Sequence, residues 1–264
     1  MIGLALGAGA AQGLAHIGVL EVIEEEAIPV DAIAGTSIGA VIGAFWASGM
    51  SASEIKDAVS IFKKRMAAWR LVDLCVPKRG LIKGREIKRF LESQLGKKTF
   101  RDTRIPLKIV TCDIEKREEV VLDKGRLADV ALASIAIPGM FEPVNINGRI
   151  LVDGGILNPL PTSVLSRMGI SNIIAVNTLP SPSDVARSGK RSLNIFDLMV
   201  RNIQASEFRL AELDSMAADI TMHPVIPHID WYEIYEMDRF IRRGRREATL
   251  NLARMKRMSR EAGR

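Results

Sequence analysis

The run Ala32-Ile33-Ala34-Gly35-Thr36-Ser37-Ile38-Gly39 constrains what this chain can fold into more than any other. Three small apolar residues lead into a G-x-S-x-G pentapeptide, and small, apolar residues continue to Ala47. A buried strand, a tight turn and a helix in that order lift a serine to the apex of an elbow. Backbone at such an apex is strained, and the positions two residues either side have no room for a side chain; Gly35 and Gly39 meet that demand. A helix starting at the serine turns its free N–H groups and positive end toward the hydroxyl. Gly39, Gly43 and Ala47, with Ala40 and Ala44, recur at helical spacing and let that helix approach a sheet closely. From Ala32 to Met50 no residue is charged, which is also the length of a membrane span. The glycines, Thr36, Ser37, Ser48 and the missing basic N-terminal flank favour the buried strand-turn-helix.

Ile2–Leu6 reads as a buried strand and passes at once into Gly7-Ala8-Gly9-Ala10-Ala11-Gln12-Gly13, with an apolar helix over Leu14–Glu26 beyond. A glycine-rich turn between a strand and a helix start is a cradle for an anion, because bare backbone N–H groups converge there. A dinucleotide would require the spacing G-x-G-x-x-G, but here the third glycine, Gly13, comes one position late, and no acidic residue ends the second strand. A tetrahedral oxyanion beside Ser37 requires only donors near the nucleophile. Consecutive parallel strands would bring both loops to one C-terminal sheet edge, and this favours the oxyanion reading.

Residues 51–104 are more polar, with helical patterning at Ser53–Met66 and Arg85–Leu95, and form a candidate cap segment. Strands are expected at Leu107–Asp113 and Glu118–Leu122. Val144–Ile146 and Arg149–Val152 bracket Asn147-Gly148, a strong hairpin signal. The second hairpin strand ends on Asp153-Gly154-Gly155, where a carboxylate can point at a shared site while another backbone passes close. Ile173–Asn177 and Ala218–Met222 read as further strands, 179–192 as a linker-like loop, and Leu193–Met216 as a long amphipathic helix.

Two cysteines, Cys75 and Cys112, give no disulfide framework, and residues 1–55 hold no Lys or Arg, so no basic leader is read. The expectation is a cytoplasmic protein of one large domain, or of one domain plus an appendage. Net charge is +6, yet residues 242–264 carry nine Arg/Lys against Glu247 and Glu261, a net +7, so the preceding 241 residues sum to −1.

An elbow serine, a glycine-rich anion loop and an Asp-Gly-Gly turn together point to acyl transfer through a covalent intermediate. A serine triad would need a histidine late in the chain, and only His16, His223 and His228 exist. His16 falls inside the first helix as a packing residue, and the Pro-interrupted His223-Pro-Val-Ile-Pro-His228 has no metal-ligand helix face. Asp153 is left as the base. An ordinary Asp, with a pKa of about 3.9, is a weak one, but burial in a dry site raises it.

Three motifs in order, GAGAAQGLAHIGVL, GTSIGA and AIPGMFEPV…LVDGGILNPLP, resemble the patatin-like phospholipases, bacterial members in particular, over roughly residues 1–180. The resemblance implies a three-layer α/β/α fold with a mostly parallel central sheet. It also implies a Ser37–Asp153 dyad that hydrolyses acyl esters of lipids or phospholipids, without metal or cofactor. Oxyanion donors are then expected from Gly7, Ala8, Gly9 and Ala10 and from Ile38, supported by Gln12, Gly13, Gly35, Gly39, Gly154 and Gly155. Two positions depart from the family pattern. Ala8 replaces a frequent glycine, and Gln12 stands where Arg or Lys is usual, keeping a donor but no charge. A weakly active scaffold of the same fold, binding lipid or an anionic partner, is the alternative.

Residues 1–230 therefore form the expected catalytic domain and 231–264 a basic helical extension. In that extension Ile234, Met237, Ile241, Ala248, Leu252 and Met255 follow an i, i+3, i+4 progression interrupted by Gly244. Such a stripe either packs on the domain or lays a basic amphipathic helix on an anionic membrane, here the inner face; nucleic acid is the less favoured partner.

Overall fold

The computed structural model describes residues 1–68, 84–184, 195–229 and 233–262. The order begins β1 (Ile2–Leu6), a 3-10 turn over Ala10–Leu14, α1 (Ala15–Glu25), β2 (Ala32–Thr36), α2 (Ile38–Ala47), α3 (Ala52–Ala68) and α4 (Arg85–Leu95). It continues with β3 (Leu107–Asp113), β4 (Glu118–Leu122), α5 (Leu127–Ser134), β5 (Val144–Ile146) and β6 (Arg149–Asp153). It ends with α6 (Thr162–Arg167), β7 (Asn172–Val176), α7 (Ile195–Ser215), β8 (Ile220–Met222) and α8 (Met237–Ala262).

β3, β2, β1, β7 and β8 form the parallel body of an 8-stranded sheet. Buried on both faces, these strands lack the apolar/polar alternation of a half-exposed sheet. Their faces differ in size instead. Ile2, Leu4, Leu6, Ile33 and Ile109 point into a core built with α1, α2 and α8. Ala5, Ala32, Ala34 and Ala175 face the other way, where their small side chains let α6 and α7 settle close with Leu165, Phe208 and Ala211. The expected three layers are present.

β4 pairs with β3 along the whole of Ile109–Asp113. The opposite edge of β3 is shared: β2 pairs in parallel as far as Thr36↔Val110, and β6 antiparallel from Asp153↔Thr111. Two strands thus reach one edge from opposite ends and stop at adjacent residues. The hairpin turn between β5 and β6 has φ of 52° at Asn147 and 81° at Gly148, as a two-residue Asn-Gly loop requires.

The candidate cap divides. α3 packs on α1 and α2, and α4 on α5, while residues 69–83 lie outside the described residues. α8 is no loose extension: its main contact is with α1, and Met237, Phe240, Ile241, Ala248 and Met255 join the principal core. Gly244, read as an interruption of the stripe, is the crossing point. A Cβ there would run into the Ala15 carbonyl, and one on Gly18 into the Ile241 carbonyl. The apolar stripe is used on α1, leaving Arg242, Arg246, Arg257 and Arg260 exposed. Among the described residues no helix is long and apolar enough to cross a membrane.

Candidate active site

Ser37 occupies the elbow with φ 56° and ψ −126°, a conformation that L-residues rarely adopt. The flanking glycines are steric necessities. A Cβ on Gly35 would lie 2.7 Å from Ala40 Cα, and one on Gly39 would run into the Leu6 carbonyl. The strained turn is held from outside by Ser134, whose Oγ accepts from the Ser37 N–H at 2.9 Å and donates to Val110 O at 2.7 Å.

Asp153 arrives from β6. Its Oδ2 accepts a 2.6 Å hydrogen bond from Ser37 Oγ, and its Oδ1 accepts from the Gly155 N–H at 2.8 Å. The Asp153 N–H donates to Ala136 O at 3.0 Å, which fixes the end of the strand. Gly154 is needed because a Cβ would sit 2.5 Å from Val110 O. Burial pushes the Asp153 carboxyl up to about 6, against the opposing hydrogen bonds from Ser37 and Gly155. An Asp at about 6 accepts a proton more readily than an exposed one.

The glycine-rich loop divides its backbone donors. The Gly7 N–H is given to Val176 O at 3.1 Å and the Ala8 N–H to Pro159 O at 2.8 Å. Those two anchor the loop, a correction to their expected role as oxyanion donors. The N–H groups of Gly9, Ala10 and Ile38 have no hydrogen-bond partner among the described residues. Ala8, Gly9 and Ala10 line one cavity with Ser37 and Asp153. Gly9 must lack a side chain because a Cβ would strike Thr178, whose Oγ1 holds Ala8 O at 2.8 Å; Gly13 is pressed against Ile38.

Gln12 does something other than expected. Its Nε2 donates to Ile226 O at 2.8 Å and its Oε1 accepts from the Ile226 N–H at 3.0 Å. The buried amide thus clamps 223–229 to the glycine loop and does not line the cavity. His16 is wholly buried, with Nε2 at 2.8 Å from Gly7 O; burial pushes it down to about 4, so it is neutral near pH 7 and donates from Nε2. His223 lies 4.0 Å from Asp184. Among the described residues no histidine lines the cavity.

The cavity is small, about 20 Å³, room for one water-sized group. Ile137, Pro138, Ile156, Val200 and Ile203 make its wall apolar. One ionisable residue in the lining escaped the sequence reading. Glu207, from α7, is 7% exposed. The available signal was its place in the stripe Val200, Ile203, Glu207, Ala211, where an apolar residue belongs.

A patatin-like phospholipase family model matches residues 4–166. Neuropathy target esterase sws of Drosophila melanogaster is 35% identical over 180 residues, 67% of this chain and 13% of that protein. An uncharacterised NTE family protein of Mycobacterium bovis is 32% identical over 206 residues, 77% of this chain and 57% of that one. The chain thus spans between about one eighth and somewhat over half of these relatives' lengths. The crystal structure of VipD from Legionella pneumophila superposes with a TM-score of 0.50, covering 96% of this chain and 66% of that one. At 12% identity that is a likeness of fold alone.

Proposed function

The chain belongs to the patatin-like phospholipase family, and on that footing we propose that it hydrolyses carboxylic esters of lipids through a Ser37–Asp153 dyad. The observation that carries the reading is the 2.6 Å hydrogen bond from Ser37 Oγ to a buried carboxylate, in a cavity that no described histidine lines. As Oγ attacks the acyl carbon, its proton passes to Asp153 Oδ2. The developing oxyanion is met by the unengaged N–H groups of Gly9, Ala10 and Ile38. Asp153 then returns the proton to the departing alcohol, and a water hydrolyses the acyl-serine by the reverse transfer. The small cavity admits the ester carbonyl, and its apolar wall of Ile137, Pro138, Ile156, Val200 and Ile203 suits the first carbons of an acyl chain. The phospholipase and esterase named among its relatives support a lipid ester as substrate. The test is fatty-acid release from phospholipid and lysophospholipid by the purified protein. Release abolished in Ser37→Ala bears the reading out; no release by the native protein refutes it.

A further inference from the structure

Glu207 is the ionisable group in the cavity lining that this mechanism does not use. Its carboxyl and that of Asp153 converge on one glycine. A Cβ on Gly155 would strike Glu207 Oε1 and lie 3.2 Å from Asp153 Oδ1. Gly155 was expected to make room for a passing backbone; what it makes room for is a second carboxyl. Among the described residues no cation acts on the Glu207 carboxyl, and Arg201, on the same helix, has an interaction of its own. The glycine loop and the turn Gly154–Ile156 contribute no ionisable side chain. Arg167 of α6 is engaged with Glu119 at 2.7 Å, and on α7 itself Arg209 is engaged with Glu212 at 2.9 Å. The charged neighbour is Asp153, of like sign.

We propose that Glu207 is a positioning acid of this site: held against Asp153 across Gly155, it works in its protonated form, and its ionisation shuts hydrolysis down. The proposal rests on the dyad reading above. Two buried carboxyls facing one glycine do not both ionise, and Asp153, which accepts from Ser37 Oγ and from the Gly155 N–H, is the better seat for the charge. Burial and then that charge raise the Glu207 carboxyl well above the usual range, so it keeps its proton. Protonated, Glu207 leaves one negative charge in the cavity, the one that accepts the Ser37 proton. Ionised, it adds a second charge beside Asp153 and where the oxyanion must form, in an apolar-walled space with little room for screening water.

Two measurements test this. The first is the pH profile of kcat/KM on a soluble short-chain ester for the native protein, Glu207→Gln and Glu207→Asp. The native rate should fall about tenfold per pH unit on the alkaline side of 8. Glu207→Gln should lack that limb, so that its activity at pH 9 relative to pH 7 exceeds the native ratio about tenfold. Glu207→Asp, which keeps an ionisable group, should retain a limb. A Glu207→Gln profile that superimposes on the native one overturns the proposal. So does a folded Glu207→Gln inactive at every pH, because the working form would then be the anion. The second measurement needs neither turnover nor a folded variant: infrared titration of the native protein with isotope-labelled glutamate. A protonated glutamate carboxyl should be present at pH 7 and gone by pH 10, and its absence at pH 7 overturns the proposal. A native protein that hydrolyses no ester but shows that carboxyl would sink the functional reading without touching the protonation of Glu207.

Discussion

Thr36 and Asp153 stand opposite Val110 and Thr111, adjacent residues of β3, although one belongs to a parallel neighbour and the other to an antiparallel one. Because β2 and β6 share an edge and point toward each other, the residue after Thr36 meets the last residue of β6. Serine and aspartate, 116 positions apart in sequence, are brought within hydrogen-bonding distance by sheet register, with no loop required to fold over and join them.

The base assignment has a pH signature. Asp153 must be ionised to accept the Ser37 proton, and burial places its carboxyl at about 6. Hydrolysis should therefore decline as pH falls through 6, about tenfold per unit below it. Asp153→Asn, which keeps shape and removes the acceptor, should lower kcat by several orders of magnitude at every pH. A kinetic profile flat from pH 7 to 5 would contradict the role.

On the proposed dyad, histidine takes no part in the transfer. His223→Ala and His228→Ala should retain most of the specific activity per folded molecule. His16→Ala should act on stability, since it removes the donor to Gly7 O inside a packed core, a loss of about 1–3 kcal/mol. The pH sign follows from the depressed His16 value of about 4. The unfolded chain binds a proton at His16 below about 6.5 that the native one refuses, so this histidine costs stability as pH falls from about 6.5 toward 4. Chemical denaturation of native protein and His16→Ala across that range should show the gap between them narrowing on the acid side; a constant gap would contradict the buried neutral state.

Gln12 is a clamp, and its substitutions should read as such. Gln12→Ala leaves the N–H and the carbonyl of Ile226 unpaired, a loss of about 2–4 kcal/mol. Gln12→Arg restores the residue type usual in the family, yet it has no acceptor for the Ile226 N–H and buries a charge. It should lower the melting temperature and should not raise kcat. A faster, equally stable Gln12→Arg enzyme would show that the side chain serves the oxyanion after all.

Gly244 tests how α8 is attached. Placing Ala in a helix interior normally gains about 1 kcal/mol over Gly. Here the added methyl meets the Ala15 carbonyl, a backbone atom that cannot rotate away, and forced overpacking costs about 1–3 kcal/mol or more. Gly244→Ala should therefore destabilise the protein despite the better propensity. Truncation after Ile241 should do so more strongly, since it removes Ala248 and Met255 from the core. Unchanged melting in both variants would return α8 to the status of a detachable basic arm.

What could be read from the sequence was whatever is enforced locally. Gly35, Ser37 and Gly39 announce their backbone, Asn147-Gly148 announces its hairpin, and the parallel strands announce burial by continuous apolar runs. The three layers came from the resemblance of three motifs to a known family, and Asp153 from its Asp-Gly-Gly turn and the want of a suitable histidine. What escaped depends on partners distant in sequence. That the N–H groups of Gly7 and Ala8 are engaged and that of Gly9 is not is decided by Val176 and Pro159. The task of Gln12 is decided by Ile226, and that of Gly244 by α1. Ser134, which steadies the strained serine, carries no local signal because an isolated serine in a helix is ordinary. Glu207 did carry one, a carboxylate in an apolar stripe, but its partner Asp153 comes from another layer of the fold.

The central claim is that Ser37 is the acylated nucleophile, and covalent labelling tests it most directly. The purified protein is treated with a fluorophosphonate probe and the modified residue is mapped by peptide mass spectrometry, with Ser37→Ala and Asp153→Asn in parallel. The dyad predicts one stoichiometric adduct on Ser37, none in Ser37→Ala, and labelling slowed by orders of magnitude in Asp153→Asn. An adduct on any other residue, or undiminished labelling and ester turnover in Ser37→Ala, would contradict it.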